Sequence, residues 1–368
     1  MALRIPSGGG YGTDVLALDD SDADVTITQT NVSNIETIYV DTAPGTGNPI
    51  DVSYFGASNF RMKNASEATT ITVANEGTFE IENGAASTAD ITILCATAGT
   101  SDTLSLIVGD DLGNNLALTG WEDVTISTEA EAITIGGTVT QTHSASVEKL
   151  TILGEEDLTI TGAVRVDWVD ASGFAGALVL TSGMVMQAWV KGGPGEDKLR
   201  GSADADILQG GGGDDTLRGD GGGDKFQFEA TAAENGHDAI EDFTTADTLD
   251  FEPGYGPGMN TLKGTSADDS TGDQTPTSGD IWILVDADGS TDTAGEVADL
   301  FGGGGRPFAV GVADMELVLI IQDTQTDGSS IIWYIENDAS ATVTAEECAT
   351  VATLAGFHGT ITDENIKN

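Results

Sequence analysis

The chain has 368 residues, with 61 acidic against 13 basic side chains and a formal charge of -48. A surface so acidic repels phosphate and has no basic patch, so nucleic acid is excluded as a partner while divalent cations are attracted. No apolar run approaches membrane-spanning length, and the two cysteines, Cys95 and Cys348, make neither a disulfide framework nor a zinc site.

The opening MALRIPSGGGYGTDVLALDD has no basic stretch followed by an apolar core and a small-residue cleavage site, so a cleaved secretory signal is not expected. Residues 1–28 form an N-terminal arm whose VLAL and DVTIT runs lie beside glycines. Two readings of the arm stay open: a strand added to the edge of a neighbouring copy, or a local cap on the chain's own stack. Residues 29–191 are rich in Thr, Ser, Ala, Ile and Val and break into short alternating runs such as TTITVAN, ADITIL, DTLSLIV and KLTILG. Alternation predicts strands with one buried face. A larger echo, NIETIYV, GWEDVTI, SVEKLTI and VRVDWVD, places Glu36, Glu122, Glu148 and Asp167 at equivalent positions. Unevenly spaced echoes predict a parallel β-solenoid with coils of about 20–25 residues and about seven or eight coils. An antiparallel sandwich fits the same periodicity, and the segment that follows favours the solenoid.

Residues 192–227 read GGPGEDKLR, GSADADILQ, GGGGDDTLR and GDGGGDKFQ, four nonapeptides with Gly first, Asp sixth and a large apolar residue eighth. A nine-residue unit divides into a turn and a three-residue strand, so a coil takes two units and residues eighteen apart stack. Asp197 then stacks on Asp215, and Asp206 on Asp224. Adjacent coils lie about 4.8 Å apart, where two carboxylates repel by roughly 1 kcal/mol in water and roughly 3 kcal/mol at an effective dielectric of 20. The stack therefore needs a cation. Carboxylates together with the carbonyls of Gly-rich turns, at Gly195, Asp204, Gly213 and Gly222, favour Ca²⁺. Leu199, Leu208, Leu217 and Phe226 are the inward residues of the short strands.

These nonapeptides resemble the GGxGxDxUx signature of the repeats-in-toxin (RTX) family of secreted bacterial proteins, and the resemblance implies a calcium-bound parallel β-roll. Asp204 and Asp220 depart from the signature as added carboxylates, which either supply ligands or weaken the turn. The stretch VRVDWVDASGFAGALVLTSG leading into KGGPGEDKL resembles the junction of surface-layer-like members of that group, in which a Thr-rich solenoid precedes the calcium repeats. The continuation FQFEATAAENGHDAIEDFTTADTLDF also fits the family: Asp238, Asp242, Asp247 and Asp250 are placed to close the last calcium turn, and Ile240, Phe243, Leu249 and Phe251 to cap the apolar end. A cap is required because an uncovered solenoid end is a free β-edge.

Residues 228–368 are thus a mostly-β cap and secretion-signal region. From Pro307 to Ile366 there is no Lys or Arg, and the tail resembles the uncleaved signal read by one-step (type I) secretion machinery. Within it, Asp286, Asp288 and Asp292, with Glu296 beyond, are spaced like part of a second calcium loop, although Gly289 falls early and a plain acidic turn fits equally. Cys348 lies in a helix-like run, TAEECATVATLAG, and both cysteines read as small buried hydrophobes. The turn GGGGRPF offers no phosphate site beside so much negative charge.

Catalytic motifs are missing from the sequence: there is neither HExxH nor GxSxG, and His143, His237 and His358 are isolated in the chain. The remaining catalytic arrangement weighed is a groove of Arg165 and Lys191 beside Asp167 and Asp170, with few basic residues to serve an anionic sugar. The expectation is an all-β protein without enzymatic activity: a parallel β-solenoid continuing into a short calcium-binding β-roll, then the cap. Its expected work is that of a calcium-dependent structural protein, secreted to the exterior or surface of a bacterial cell. There it would polymerise with its own copies into a surface layer, sheath or filament. The alternative is a secreted adhesin or glycan-binding module presenting Trp121, Trp168 and Trp189, of which Trp121 and Trp168 belong to the coil echo and read as packing.

Overall fold

The computed structural model describes residues 15–18, 36–40, 50–53, 59–63, 68–82, 87–97, 99, 101–129, 131–143, 147–229, 231–251, 261–266, 280–286, 293–301, 315–323, 329–337, 343–357 and 359–367. They fall into two compact units, Met1–Gly193 and Pro194–Asn368.

Among the described residues of the first unit every strand pairing is parallel, which rules out the sandwich. One face runs in order through Val15–Leu18, Thr37–Val40, Asn59–Met62, Gly77–Ile81, Thr103–Val108, Asp123–Thr128, Lys149–Leu153, Trp168–Asp170 and Trp189–Lys191. A second face holds Ile50–Asp51, Thr69–Val73, Ile91–Cys95, Leu116–Thr119, Val139–Thr142 and Val164–Arg165, and the later coils add a third through Ile133–Ile135, Leu158–Ile160 and Leu178–Leu180. The alternation seen in sequence becomes vertical stacking: Leu104 pairs with Val124 and Val124 with Leu150, while Leu106 pairs with Ile126 and Ile126 with Ile152, all buried. Burial of each such side chain contributes about 1.5–3 kcal/mol. Thr125 and Thr151 stack between them on the outer side, where a β-branched polar residue suits the pleat. Coil length varies with loop insertions, from 19 residues between Lys149 and Trp168 to 27 between Thr78 and Ser105.

One reading is corrected here. Glu122, Glu148 and Asp167 do share a level, directly ahead of the paired Asp123, Lys149 and Trp168. Glu36 does not: Thr37 is level with Thr78, which is level with Ser105 and Thr125, so Glu36 lies two positions further along the strand. The place in question is taken one coil earlier by Asp102. The arm's VLAL run, Val15–Leu18, pairs with the chain's own Thr37–Val40.

In the second unit the three-residue strands Lys198–Arg200 and Thr216–Arg218 pair on one face, and Ile207–Gln209 and Lys225–Phe228 on the other, so the coil is eighteen residues as read from the repeat. Leu199, Leu208, Leu217 and Phe226 form the filling between the faces, each at most 1 % exposed. The coiling does not stop at the nonapeptides. Asp238–Ile240 and Thr248–Phe251 add a further coil, and Cys348–Leu354 and Ile366–Lys367 then pair in parallel with those two strands. Cys348–Leu354 also pairs antiparallel with Ser330–Asn337, which pairs antiparallel with Met315–Asp323; Asp280–Asp286 and Thr261–Ser266 extend that sheet in parallel. Cys348 therefore opens a strand, behind a short 3₁₀ turn at Ala345–Glu347, and not a helix. Its strand neighbours override the helical propensity of the run. Cys95 and Cys348 are both free thiols. Among the described residues no helix is long and apolar enough to cross a membrane.

Candidate calcium site

Each short strand of the roll is preceded by an aspartate, and the coiling places these in two columns. In one, the Asp197 amide donates to Asp215 Oδ1 at 2.7 Å and the Asp215 amide to Asp238 Oδ1 at 3.2 Å. In the other, the Asp206 amide donates to Asp224 Oδ1 at 2.9 Å and the Asp224 amide to Asp247 Oδ1 at 2.8 Å. One oxygen of each upper carboxylate thus satisfies the amide one coil below. The Oδ2 atoms of Asp206, Asp247 and Asp238 have donors of their own. Ser202 supplies them to Asp206 Oδ2 through its amide at 2.6 Å and hydroxyl at 2.9 Å, and Thr244 does the same for Asp247 Oδ2 at 2.7 and 3.0 Å. Asp238 Oδ2 accepts from Asn235 Nδ2 at 3.1 Å. Asp215 Oδ2 is buried with no hydrogen-bond partner.

The glycine pattern follows from the same geometry. A β-carbon on Gly210 would lie 2.2 Å from Asp215 Oδ2, so the first position of the repeat must be Gly to admit the sixth-position carboxylate. In the turn itself Gly213 has φ +107°, and a β-carbon there would meet the Gly195 carbonyl oxygen at 2.6 Å; Gly222 stands in the same relation to the Asp204 carbonyl at 2.5 Å. Turn carbonyls of successive coils are therefore stacked beside the carboxylate columns.

The other sequence-predicted residues divide. Asp242 accepts from the amides of Gly219 at 2.9 Å and Asp220 at 2.8 Å, closing the turn above them. Asp204 is exposed and enters the turn through its main chain, its amide bonding Ser202 Oγ at 3.0 Å. Asp220 neither joins a column nor spoils the turn: at φ +66° its carboxylate bridges Arg200 Nε at 2.6 Å and Arg218 Nε at 2.7 Å. Burial pushes its pKa up, but these two guanidinium bonds outweigh that and hold it below the ordinary value. Asp250, expected in the last turn, faces Lys225 Nζ at 2.8 Å; Asp247 takes the column position instead. Of the second loop, Asp286 ends the strand Asp280–Asp286, and Asp288 and Asp292 lie outside the described residues, as do His358 and the GGGGRPF turn. Glu296 is used locally, in a capping box with Thr293 that starts the helix Ala294–Asp299.

The columns are short of positive charge. Burial first, and then the charges of Asp197, Glu229 and Asp214, push Asp215 up to about 8, against the lowering effect of the Asp197 amide. Burial and the charges of Asp247, Asp206 and Asp242 push Asp224 up to about 7, and burial with Asp215 and Glu229 pushes Asp238 up to about 9. Folded-state values raised above the unfolded carboxyl range stabilise the roll fully only in acid. That stability is lost as pH rises through about 7 to 9. A partnerless buried carboxylate oxygen, stacked turn carbonyls and carboxylates that hold protons near neutrality are a donor set suited to a hard dication with flexible oxygen coordination, which is the chemistry of Ca²⁺.

Comparison with known families gives the same answer. The model of the RTX calcium-binding nonapeptide repeat matches residues 191–226 in four copies. The chain carries four RTX calcium-binding repeats. Its cofactor is Ca²⁺. The match covers the nonapeptide block, and no curated protein matches the chain. Beyond the block, the stack takes in Asp238 and Asp247, two of the four aspartates the sequence placed at the last turn, across a coil that lengthens from eighteen to 23 residues around the helix Ala232–Asn235.

Proposed function

We propose that this RTX-repeat protein is a secreted, non-catalytic structural subunit that polymerises outside the cell when calcium folds it. The observation that carries the reading is the open strand edge of a very acidic solenoid: among the described residues, Val15–Leu18 is paired on one side only, by Thr37–Val40. An open parallel edge is a template for another chain, and a heterologous contact of that kind gives open polymers. With a charge of -48, contact between copies requires cations, which calcium supplies in the same step that completes the roll. The proposed ligands are the carboxylates of Asp197, Asp206, Asp215, Asp224 and Asp238, with Asp242 and the turn carbonyls of Gly195, Asp204, Gly213 and Gly222. Export in a calcium-poor, unfolded state through a one-step exporter suits a roll whose stability at neutral pH waits on calcium. Localisation at the bacterial exterior follows from the same reading.

The adhesin alternative receives less support. Trp121 is fully buried with its Nε1 donating to the Ile93 carbonyl at 3.2 Å, and Trp168 is stacked on Trp189 with ring centroids 4.8 Å apart and Lys149 over its ring. A lyase-like groove is also disfavoured, because Arg165 belongs to a different face from Asp170 and Lys191, and Asp170 is paired with Lys149 at 2.9 Å. The test is light scattering with negative-stain microscopy on the chelated chain before and after millimolar Ca²⁺. Ordered sheets, tubes or fibres that dissolve on chelation are expected; a monodisperse calcium-bound monomer overturns the proposal.

A further inference from the structure

In the solenoid, the level just ahead of the first face carries its own acidic column: the Asp102 amide donates to Glu122 Oε2 at 2.7 Å, and the Glu148 amide to Asp167 Oδ2 at 2.9 Å. The arrangement parallels that of the RTX aspartates, with an acid ahead of a strand receiving the amide of the coil below. At one place a histidine joins it. Asp102 precedes Thr103–Val108, Glu122 precedes Asp123–Thr128 on the next coil, and His143 follows Val139–Thr142 of that same coil. One ligand atom from each of Asp102, Glu122 and His143 lies within 4.8 Å of the other two. His143 Nε2 is 3.3 Å from Glu122 Oε1, with only 3 % and 6 % of the two side chains exposed, and Asp102 is equally buried.

A second observation concerns a side chain bound to the Glu122 main chain. Gln141, two residues before His143 and 1 % exposed, donates its Nε2 to the main-chain oxygens of Glu122 at 2.6 Å and Trp121 at 3.2 Å. Its Oε1, on the same carboxamide held against Glu122, is buried and has no hydrogen-bond partner. A buried acceptor without a donor is costly, and a cation is one group that satisfies it.

We propose that Asp102, Glu122 and His143 form a second cation site outside the RTX repeats, next to the buried Gln141 carboxamide that is held on the Glu122 main chain. Two carboxylates and one imidazole leave net negative charge in a buried pocket, which a dication balances. The imidazole nitrogen selects against Ca²⁺, whose ligands are oxygens, and for a first-row transition dication of the Zn²⁺ or Mn²⁺ kind. For metal–ligand bonds of about 2.0–2.2 Å in a tetrahedron, donors lie roughly 3.3–3.6 Å apart, and the His143–Glu122 separation already meets that spacing. The ion ties successive coils together near the middle of the solenoid, as calcium does in the roll.

The test uses the full chain without a histidine tag, first saturated with Ca²⁺, and Co²⁺ as the probe read by visible absorption. The expected result is one equivalent of Co²⁺ whose binding is unmoved by a tenfold increase in Ca²⁺. In His143→Ala the affinity is at least about tenfold weaker, since loss of even an outer-shell partner costs that much. Should His143→Ala fail to fold, the wild-type chain decides: substoichiometric Mn²⁺ should broaden one of the three imidazole resonances in the proton spectrum. Displacement of Co²⁺ by Ca²⁺, unchanged affinity in folded His143→Ala, or broadening of none or all of the imidazoles overturns the proposal.

Discussion

A chain carrying Asp215→Asn and Asp224→Asn will need far more calcium than the wild type to fold its roll, and in a chelator at pH 9 it will be the more ordered of the two. Asparagine keeps the shape of the side chain and the Oδ1 acceptor that takes the amides of Asp197 and Asp206, so the substitution removes charge and little else. A hydrogen bond to a charged group is worth about 1.5–3 kcal/mol, and a carboxylate–calcium contact is worth at least as much. Two such losses move the calcium midpoint by at least about a hundredfold, since 1.4 kcal/mol is a factor of ten. Without calcium the sign reverses, because the same carboxylates are the ones that burial and like charge push up to about 8 and about 7. Circular dichroism against free calcium gives the midpoint, and thermal melts in chelator give the reversed order. An unmoved midpoint would remove these two residues from the calcium site.

Truncation after Glu347 will abolish cooperative folding of the second unit even in saturating calcium. The lost segment is built into the stack: Cys348–Leu354 pairs with Asp238–Ile240 and Ile366–Lys367 with Thr248–Phe251. Asn365 Nδ2 bonds the carbonyls of Thr245 at 3.1 Å and Asp247 at 2.9 Å, at the base of the second aspartate column. Asn235 Nδ2 ties the Val351 carbonyl and Asp238 Oδ2, both at 3.1 Å, at the base of the first. Val351, Leu354, Phe357 and Ile361 are all buried, with Phe357 edge-on to Phe243. At about 1.5–3 kcal/mol each, these four side chains sum to an amount comparable with the 5–15 kcal/mol stability of a whole domain. Fluorescence of Trp282 and Trp333 during denaturant unfolding reads the loss; a truncated chain that unfolds with wild-type cooperativity contradicts it.

The truncation also marks where sequence reading reached its limit. The four nonapeptides were legible because a fixed period writes the stack directly: Asp197 over Asp215 and Leu199 over Leu217 follow from a spacing of eighteen. The solenoid class was legible from alternation, since outward Thr72, Thr125 and Thr151 each lie between inward aliphatics. Register was not. Coils of 19 to 27 residues scatter the equivalent positions, so the echo in sequence groups Glu36 with the acids at 122, 148 and 167 although it lies two residues off, and passes over Asp102. His143 looked isolated for the same reason; its partners are one loop length and one coil away. Asp220 shows a different limit. Its carboxylate was expected to act on the turn, and only the fold reveals that Arg200 and Arg218 stack within its reach. At Cys348, a helical composition lost to the strand partners on either side of it.

The central claim is that calcium supplies the charge the buried aspartate columns lack, and segment-resolved hydrogen exchange of the full chain in chelator, corrected for intrinsic rate at each pH, tests it most directly. Peptides spanning 197–250 should be protected at pH 5. Their protection should be lost as the pH rises through about 7 to 9, where Asp224, Asp215 and Asp238 surrender their protons, and Ca²⁺ should restore it at pH 9 while Na⁺ does not. Equal protection of those peptides at pH 5 and pH 9, with nothing added by calcium, would contradict the account.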